Sequence, residues 1–351
     1  MKALITGITG QDGAYLAKFL LEKGYEVYGM YRRLSSQNFW RLQYLGIFNK
    51  VHLIPADLSD SSSLIAAIKA SNPQEIYHLA AQSLVGASFE QPIATGETTG
   101  LGVVRMLESI RETDKSIKFY NASTSELFGN RLDIKQPELI NESTTFCPVS
   151  PYATAKLYGY WTTKIYRDAY GIFACNGILF NHTSPLRGLD FVTRKISNAV
   201  AKISLGIEKE LLLGNMNTQR DWGYSLEYVK AMWLMLQHNI PDDYVIATGE
   251  THSVKEFVEE AFKIVGLDCN KYVSIKKELL RPIDVLCLRG DSTKAKEKLH
   301  WQPEIKFTEL VNVLVKEDLL RWKRWQKGER FPWDAPVSPG DSYIFSRAID
   351  R

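Results

Sequence analysis

The sequence lacks any apolar run of the roughly 20 residues that a membrane helix needs, so we expect no membrane partner. Its net charge is small, +3 over 351 residues, and gives no overall field that would favour nucleic acid as a partner. The amino terminus, "MKALITGITG", shows no signal-peptide pattern and opens with a strand-like run. These absences predict a cytoplasmic globular protein.

Cysteine is also sparse. The four cysteines, Cys147, Cys175, Cys269 and Cys287, are scattered, with no CxxC pair and no metal-ligand spacing. We therefore expect no metal site and interpret all four as reduced thiols in the core.

Short apolar runs alternate with segments of helical period through the first 180 residues. The runs include "KALIT", "EVYGMY", "VHLIPADL", "EIYHLAA", "IKFYNAST" and "FACNGILFN". Short strands that are apolar on both faces and separated by helices are typical of a parallel sheet covered on both sides. The sequence therefore predicts an α/β fold with a doubly wound parallel sheet.

Three glycines, Gly7, Gly10 and Gly13, lie where the first predicted strand turns into the first helix. A bound diphosphate needs close approach of the backbone there, and the helix N-terminus offers free N–H groups to the anion. GxxGxxG alone is weak, because any tight strand-to-helix turn favours glycine. At the first turn of an α/β chain it predicts a Rossmann-type dinucleotide site.

The regular alternation of strands and helices becomes weaker after residue 181. Helical segments at 191–206, 225–237 and 253–266 are joined there by short strands only. We predict a Rossmann domain over residues 1–181. Residues 182–351 are predicted to form a smaller, mainly substrate-binding α/β portion, with segments within about 211–250 returning to the main sheet.

The end of the second strand indicates which dinucleotide is bound. NAD-binding chains usually place an acidic residue there to hold the ribose 2′-hydroxyl. This chain has Arg32 and Arg33 followed by Ser35, and two guanidinium groups suit a 2′-phosphate. We therefore predict NADP; the alternative is an exposed arginine pair. Asp57, after the third strand, either accepts from the adenine amine or is a plain turn residue.

Tyr152 and Lys156 are four residues apart in "PYATAK" and share one face of a predicted helix. A nearby ammonium would lower the pKa of the phenol from its usual ~10 and make it a proton acceptor. YxxxK also occurs by chance. After a dinucleotide fold and its fifth strand, the pair indicates oxidation of a secondary alcohol by hydride transfer.

A carboxylate, Glu126, stands beside Thr124 in "ASTSELFG", at the end of the fifth predicted strand. It is either a general acid/base or a helix-start carboxylate that accepts from backbone N–H groups. The residues alone leave both roles open.

These motifs resemble those of the extended short-chain dehydrogenase/reductase family and, within it, of the GDP-mannose 4,6-dehydratases. The shared stretches span residues 1 to about 300 in family order and include "GITGQDGAYLAKFLLEKGYEVYG", "RRLSS", "LAAQS", "ASTSELFG", "SPYATAKLYGYW", "ACNGILFNH", "FVTRKI", "RDWG" and "GDSTKAKEKL". The resemblance implies tightly bound NADP, a GDP-sugar substrate and a homo-oligomer, either tetramer or dimer.

The resemblance also implies the reaction and its catalytic residues. GDP-mannose would become GDP-4-keto-6-deoxymannose by oxidation at C4, elimination of water across C5–C6 and return of hydride to C6. The residues at the matching positions are Thr124, Glu126, Tyr152 and Lys156. Glu126 then acts as the acid/base of the elimination.

Further contacts follow from the resemblance residue by residue. Cofactor contacts are implied at Thr9, Gln11, Asp12, Leu58, Leu79, Ala80, Gln82, Ser83, His182 and Arg187. Substrate contacts are implied at Ser83, Asn181, Lys195, Arg220 and Arg281, together with Thr124 and Glu126. On the residues alone, His182 could equally be a core histidine, and each isolated lysine or arginine a surface charge.

The chain departs from the family pattern near the expected substrate and subunit contacts, at Phe39, Leu84, Thr183, Leu186, Asp284 and Leu286. Loss of polar groups at a sugar pocket can change specificity strongly. The alternatives are therefore dehydration of another GDP-sugar such as a GDP-heptose, or a 4-keto sugar reductase or epimerase. A third alternative, from a different class, is an NADP-sensing binding protein.

Overall fold

The computed structural model describes residues 1–35, 38–129, 139–279 and 285–329. Its strands are β1 (Lys2–Thr6), β2 (Glu26–Tyr31), β3 (His52–Pro55), β4 (Glu75–His78), β5 (Lys118–Ala122), β6 (Ala174–Leu179), β7 (His182–Thr183), β8 (Leu211–Leu213), β9 (Gln219–Arg220), β10 (Gly223–Tyr224), β11 (Asp243–Ile246), β12 (His252–Ser253), β13 (Val273–Ile275) and β14 (Cys287–Leu288).

The α-helices are α1 (Gln11–Glu22), α2 (Trp40–Tyr44), α3 (Ser61–Ser71), α4 (Val85–Glu90), α5 (Pro92–Thr95), α6 (Gly102–Thr113), α7 (Pro151–Tyr170), α8 (Val192–Ser204), α9 (Ser225–Gln237), α10 (Val254–Ile264), α11 (Thr293–Leu299) and α12 (Phe307–Gln326). A π-helical turn, Gly96–Leu101, joins α5 to α6. Short 3₁₀ helices cover Phe48–Lys50, Ser125–Phe128, Cys269–Lys271 and Lys277–Leu279.

The central sheet has seven strands in the order β11-β6-β5-β4-β1-β2-β3. Every neighbouring pair is parallel. The order reverses between β1 and β4, which is the topological switch point where open α/β sheets bind ligands. The predicted doubly wound, Rossmann-type fold is confirmed.

Both faces of this sheet are covered because successive strand residues point to opposite sides. In β1, Ala3 and Ile5 pack into the apolar cluster that contains residues of α1 and α9. Leu4, between them, packs on the other face with residues of α3 and α6. This arrangement explains why the strands read as continuous apolar runs.

The chain leaves the sheet after β6 and returns to it as β11. Between them it forms β7 to β10, α8 and α9, and α9 packs against α1. A third apolar cluster, built from α8, α10 and α12, forms the core of the carboxy-terminal portion, where β8 pairs with β13 and β9 lies between β12 and β14. This portion faces the carboxyl edge of the sheet across a cleft.

The cysteine interpretation needs one correction. All four cysteines are free thiols, but Cys147 is exposed and only Cys175 is buried. The interpretation as core residues therefore holds for Cys175 and is wrong for Cys147, while Cys269 and Cys287 are only partly buried. In the described ranges no three metal-ligating side chains cluster, and no helix there combines the length and apolarity needed to cross a bilayer.

Candidate active site

A cleft of about 900 Å³ runs along the carboxyl ends of β1, β2, β4, β5 and β6. It brings together most of the residues predicted to contact a cofactor. Those in its walls are Gly7, Thr9, Gly10, Gln11, Asp12, Gly13, Arg32, Asp57, Leu58, Leu79, Ala80, Gln82, Ser83, Tyr152, Lys156, His182 and Arg187.

The residues predicted for the substrate are placed less uniformly. Ser83, Thr124, Glu126, Asn181 and Arg220 line the cleft. Lys195 is partly buried and is not among the lining residues, and Arg281 and Asp284 lie outside the described residues.

The two arginines after β2 separate. All of Arg32, Arg33 and Ser35 are exposed, but only Arg32 is among the residues that line the cleft. Of the sequence pair, only Arg32 is therefore placed to contact a ligand in the cleft.

The glycine turn leaves space that only backbone can occupy. Gly7 has φ +70°, and a Cβ there would lie 2.9 Å from the Ala80 backbone. A Cβ on Gly13 would lie 2.3 Å from the Gly7 carbonyl oxygen. α1 follows Gly10, which has no side chain and so gives the first-turn N–H groups no capping hydrogen bond. This geometry fits the diphosphate of a dinucleotide.

Buried polar atoms in the cleft wall also fit a polar ligand. Gln82 Oε1, Ser123 Oγ and Asn181 Oδ1 are buried without a hydrogen-bond partner among the described residues. Buried polar groups are rarely left unpaired in folded proteins. All three residues line the cleft, which is where a ligand would satisfy them.

Four residues converge at the end of β5 and the first turn of α7. Thr124 caps the short helix Ser125–Phe128 and accepts from the Glu126 N–H at 3.2 Å. α7 starts after Ser150, which caps it, and its first turns carry Tyr152 and Lys156. All four side chains are buried. They line one cleft, as an acid/base constellation requires.

The electrostatics of Tyr152 differ from the prediction. Burial raises the pKa of Tyr152 to about 12, and Glu126 adds to the rise, while a hydrogen bond with Thr124 opposes it. Lys156 donates from Nζ to the Ala122 carbonyl oxygen at 2.6 Å instead. Burial lowers the pKa of Lys156 to about 8. The prediction that Lys156 lowers the pKa of Tyr152 is therefore wrong for this arrangement.

His182 is held on both ring nitrogens. Nε2 lies 2.8 Å from Asp12 Oδ2, and Nδ1 lies 2.8 Å from the Phe180 carbonyl oxygen. Burial works to raise the pKa of Asp12, but His182 and then Arg187 outweigh it, so the net shift is downward. His182 is thus a partnered histidine in the cleft wall that ties β7 to the first turn of α1.

Arg41 is a residue of the cleft wall that the sequence did not reveal. Arg41, in α2, donates from Nε to the Leu186 carbonyl oxygen at 2.7 Å and from Nη1 to the Thr9 carbonyl oxygen at 3.0 Å. It lines the cleft beside the glycine turn. "WRLQY" carries no motif, and this position depends on the tertiary packing of a short helix.

The departures from the family pattern are spread across the molecule. Leu84 lines the cleft, and Thr183 lines it while exchanging a 2.7 Å hydrogen bond with Thr193. Leu186 is fully buried, and Leu286 is 65% exposed. Only some of the departures can therefore touch a ligand directly.

Fold and site together define an enzyme of the extended short-chain dehydrogenase/reductase class. The profile of the family described as GDP-mannose 4,6 dehydratase matches residues 4–314. The chain belongs to this family.

Two curated relatives show how similar the sequences are. The chain is 49% identical to GDP-mannose 4,6 dehydratase 1 of Arabidopsis thaliana, with 92% of this chain and 91% of the relative covered. It is 48% identical to the GDP-mannose 4,6 dehydratase of Homo sapiens, with 90% and 91% covered. Among solved structures, a dTDP-glucose 4,6-dehydratase from Bacillus anthracis in complex with NAD has a TM-score of 0.81, with 96% of this chain and 100% of that chain covered. At 20% identity it supports the fold alone.

Proposed function

We propose that the protein catalyses the NADP-dependent 4,6-dehydration of GDP-mannose to GDP-4-keto-6-deoxymannose. The observation that carries the proposal is the buried carboxylate of Glu126, which lines the same cleft as Thr124, Tyr152 and Lys156. Oxidation of an alcohol needs only the Tyr–Lys pair. A second acid/base group beside it suits an elimination. Family membership supports the sugar nucleotide.

Tyr152, Thr124 and Glu126 each act on the substrate in this scheme. Tyr152 takes the proton of the C4 hydroxyl, and Thr124 orients the C4 oxygen through its hydroxyl. Once C4 is a ketone, the C5 hydrogen is acidic. Glu126 removes that proton and delivers one to the C6 hydroxyl, which leaves as water. Bound NADP would supply the hydride acceptor at C4 and the hydride donor at C6. A proton returned to C5 balances the one that Tyr152 took from the C4 hydroxyl, so the products are the keto sugar and one water.

Burial of these residues also opposes the proton transfers that the reaction requires. The raised pKa of Tyr152 keeps its phenol protonated near neutral pH, so proton removal needs a compensating positive charge in the cleft. Arg187, in the cleft wall, already opposes the rise in the Tyr152 pKa, and Lys156 Nζ lies 6.0 Å from the centre of the Tyr152 ring.

The elimination step has a direct test. Incubation with GDP-mannose, read by mass spectrometry, should show loss of one water with no net consumption of NADPH. Glu126→Gln should abolish loss of water while still allowing slow hydride transfer to bound NADP. Tyr152→Phe should block both steps. Dehydration at the normal rate by Glu126→Gln would show that Glu126 is not the acid/base.

The choice of NADP over NAD rests on Arg32. Both arginines are exposed, but of the two only Arg32 lines the cleft, so the chain offers a matched pair of variants. Arg32→Ala should weaken NADPH binding by about 10- to 100-fold, the usual cost of losing one charged hydrogen bond, and leave NADH binding unchanged. Arg33→Ala should change neither. Equal losses for the two cofactors would contradict a 2′-phosphate contact.

The identity of the sugar has a specific alternative. Leu84 lines the cleft where the family pattern is polar, and hydrogen-bonded sugar hydroxyls are where discrimination between substrates is large. A panel of GDP-sugars should therefore include a GDP-heptose. Dehydration of the heptose without turnover of GDP-mannose would overturn the substrate and keep the mechanism.

We also propose a cytoplasmic homo-oligomer, either tetramer or dimer. The exposed face of α7 carries Tyr158, Trp161 and Ile165, which are 50%, 46% and 55% exposed. Such an apolar stripe on one helix is typical of a subunit interface. Sedimentation should give a mass above 39.9 kDa, and Trp161→Glu should lower it.

A further inference from the structure

The loop 184–188, which follows β7, is held by three buried or half-buried guanidinium groups from three separate helices. Each donates to one of three successive backbone carbonyl oxygens. The pairs are Arg321 Nη1 with Pro185 O at 2.8 Å, Arg41 Nε with Leu186 O at 2.7 Å and Arg194 Nη1 with Arg187 O at 2.8 Å. The path of this loop is therefore set by one nearby side chain, that of Arg194, and by two that are distant in sequence, those of Arg41 and Arg321.

Asp318, in α12, fixes Arg194 by hydrogen bonds and also lies 3.7 Å from Arg321 Nη1. Its carboxylate accepts from Arg194 Nε at 2.9 and 3.0 Å and from Nη2 at 2.6 Å. Ser197 Oγ donates to the same carboxylate at 2.6 Å. Arg194, Ser197 and Asp318 are all buried. A bidentate pair of this kind holds the planar guanidinium group in one orientation.

The loop carries Arg187 into the cleft. The guanidinium carbon of Arg187 lies 3.7 Å from the centre of the Phe191 ring. Its positive charge acts on a predicted cofactor residue and a predicted catalytic residue, because it lowers the pKa of Asp12 and opposes the rise in the pKa of Tyr152. Asp318 itself is not among the residues that line the cleft.

We infer that Asp318 is a positioning residue of the cofactor site, acting through Arg194 on the backbone of Arg187. The inference rests on the proposed function only in taking the cleft to bind NADP. A charged contact to a dinucleotide depends on sub-ångström placement, so loosening the backbone of Arg187 should weaken binding without removing any group that touches the ligand.

The test is the dissociation constant of NADPH, measured by its fluorescence. Asp318→Asn keeps the shape of the side chain but turns an amide donor toward Arg194. We expect binding weaker by about 10- to 100-fold, which corresponds to loss of one charged hydrogen bond.

A matched control exists in the sheet domain. Asp243 likewise makes a largely buried, bidentate pair, with Arg167 at 2.9 and 3.0 Å, but that pair contacts neither the loop nor the cleft. Asp243→Asn should lower the melting temperature, as loss of a buried partner does, and leave NADPH affinity within about twofold. Equal weakening by both variants would show that Asp318 acts only on global stability.

A double-mutant cycle identifies the route. If Asp318 acts through Arg187, Asp318→Asn should have little further effect on NADPH affinity in an Arg187→Ala background. Additive losses would overturn the route. Should Asp318→Asn fail to fold, Ser197→Ala removes a single hydrogen bond from the same carboxylate and should show the same non-additivity at smaller size.

The outcomes also separate the two proposals. Wild-type protein that does not bind NADPH would refute the proposed cofactor. Wild-type protein that binds NADPH, with a folded Asp318→Asn variant that binds it equally well, would refute the positioning role alone.

Discussion

The burial of Lys156 should make the free energy of unfolding depend on pH, and unfolding measurements can detect this dependence. Burial lowers the pKa of its ammonium group from 10.5 to about 8. At about 1.4 kcal/mol for each pH unit, this difference corresponds to about 3 kcal/mol of folding free energy. The folded protein therefore holds the charged form of Lys156 at a cost that the unfolded chain does not have.

The sign of the pH dependence follows from proton binding. Between pH 8 and pH 10.5 the unfolded chain keeps its proton on Lys156 and the folded protein loses it. The unfolded state then binds more protons, so stability rises with pH across this window. Lys156→Met removes this contribution. We expect wild-type protein to gain about 3 kcal/mol relative to the variant between the two ends of the window.

Urea unfolding at pH values below 8 and above 10.5 provides the assay. One pH alone is uninformative, because the variant also loses the hydrogen bond from Lys156 to the Ala122 oxygen. Lys118→Met is the control, since Lys118 Nζ likewise donates to a backbone carbonyl oxygen, that of Leu236 at 2.5 Å. A difference between wild type and Lys156→Met that stays constant across the window would refute the reasoning.

Two further predictions concern the glycine turn and the thiols. Gly13→Ala should abolish NADPH binding and lower the melting temperature, because the new Cβ would lie 2.3 Å from the Gly7 oxygen; fluorescence titration and calorimetry measure both, and unchanged binding would contradict the turn geometry. A thiol reagent should label Cys147 first in the folded protein, because it is exposed, whereas the buried Cys175, whose pKa burial raises to about 12, should react only after unfolding. Peptide mass mapping distinguishes the two sites, and early labelling of Cys175 would contradict its burial.

Strong periodicity made most of the helices predictable. The segment 225–237 was expected to be helical and is α9, and the segment 253–266 contains α10. β11 lies in the stretch of about 211–250 from which segments are predicted to return to the main sheet. Its bounds were harder to predict, because its four residues, "DYVI", become a sheet strand only through pairing with β6. Length and pattern cannot reveal such a partner when the two segments are far apart in sequence.

Some features of the site could likewise be predicted from the sequence, and others could not. Motifs with fixed local geometry, such as the glycine turn and the spacing of Tyr152 and Lys156, could be located from the sequence, since a turn or a helix face sets their relative positions. The contribution of Arg41 could not, because it depends on how α2 packs. The pKa of Tyr152 was predicted in the wrong direction because burial is a property of the whole fold.

The return of the chain to the sheet has a consequence for dissection of the protein. A polypeptide that ended at residue 181 would contain the glycine turn, Glu126 and the Tyr–Lys pair, yet β6 would have an open edge where β11 belongs. It would also lose α9, whose Met232 and Leu236 cover the same apolar cluster as Leu16 and Leu20 of α1. The amino-terminal part is therefore not suited to being produced on its own, because an uncovered sheet edge and an uncovered apolar face would drive self-association.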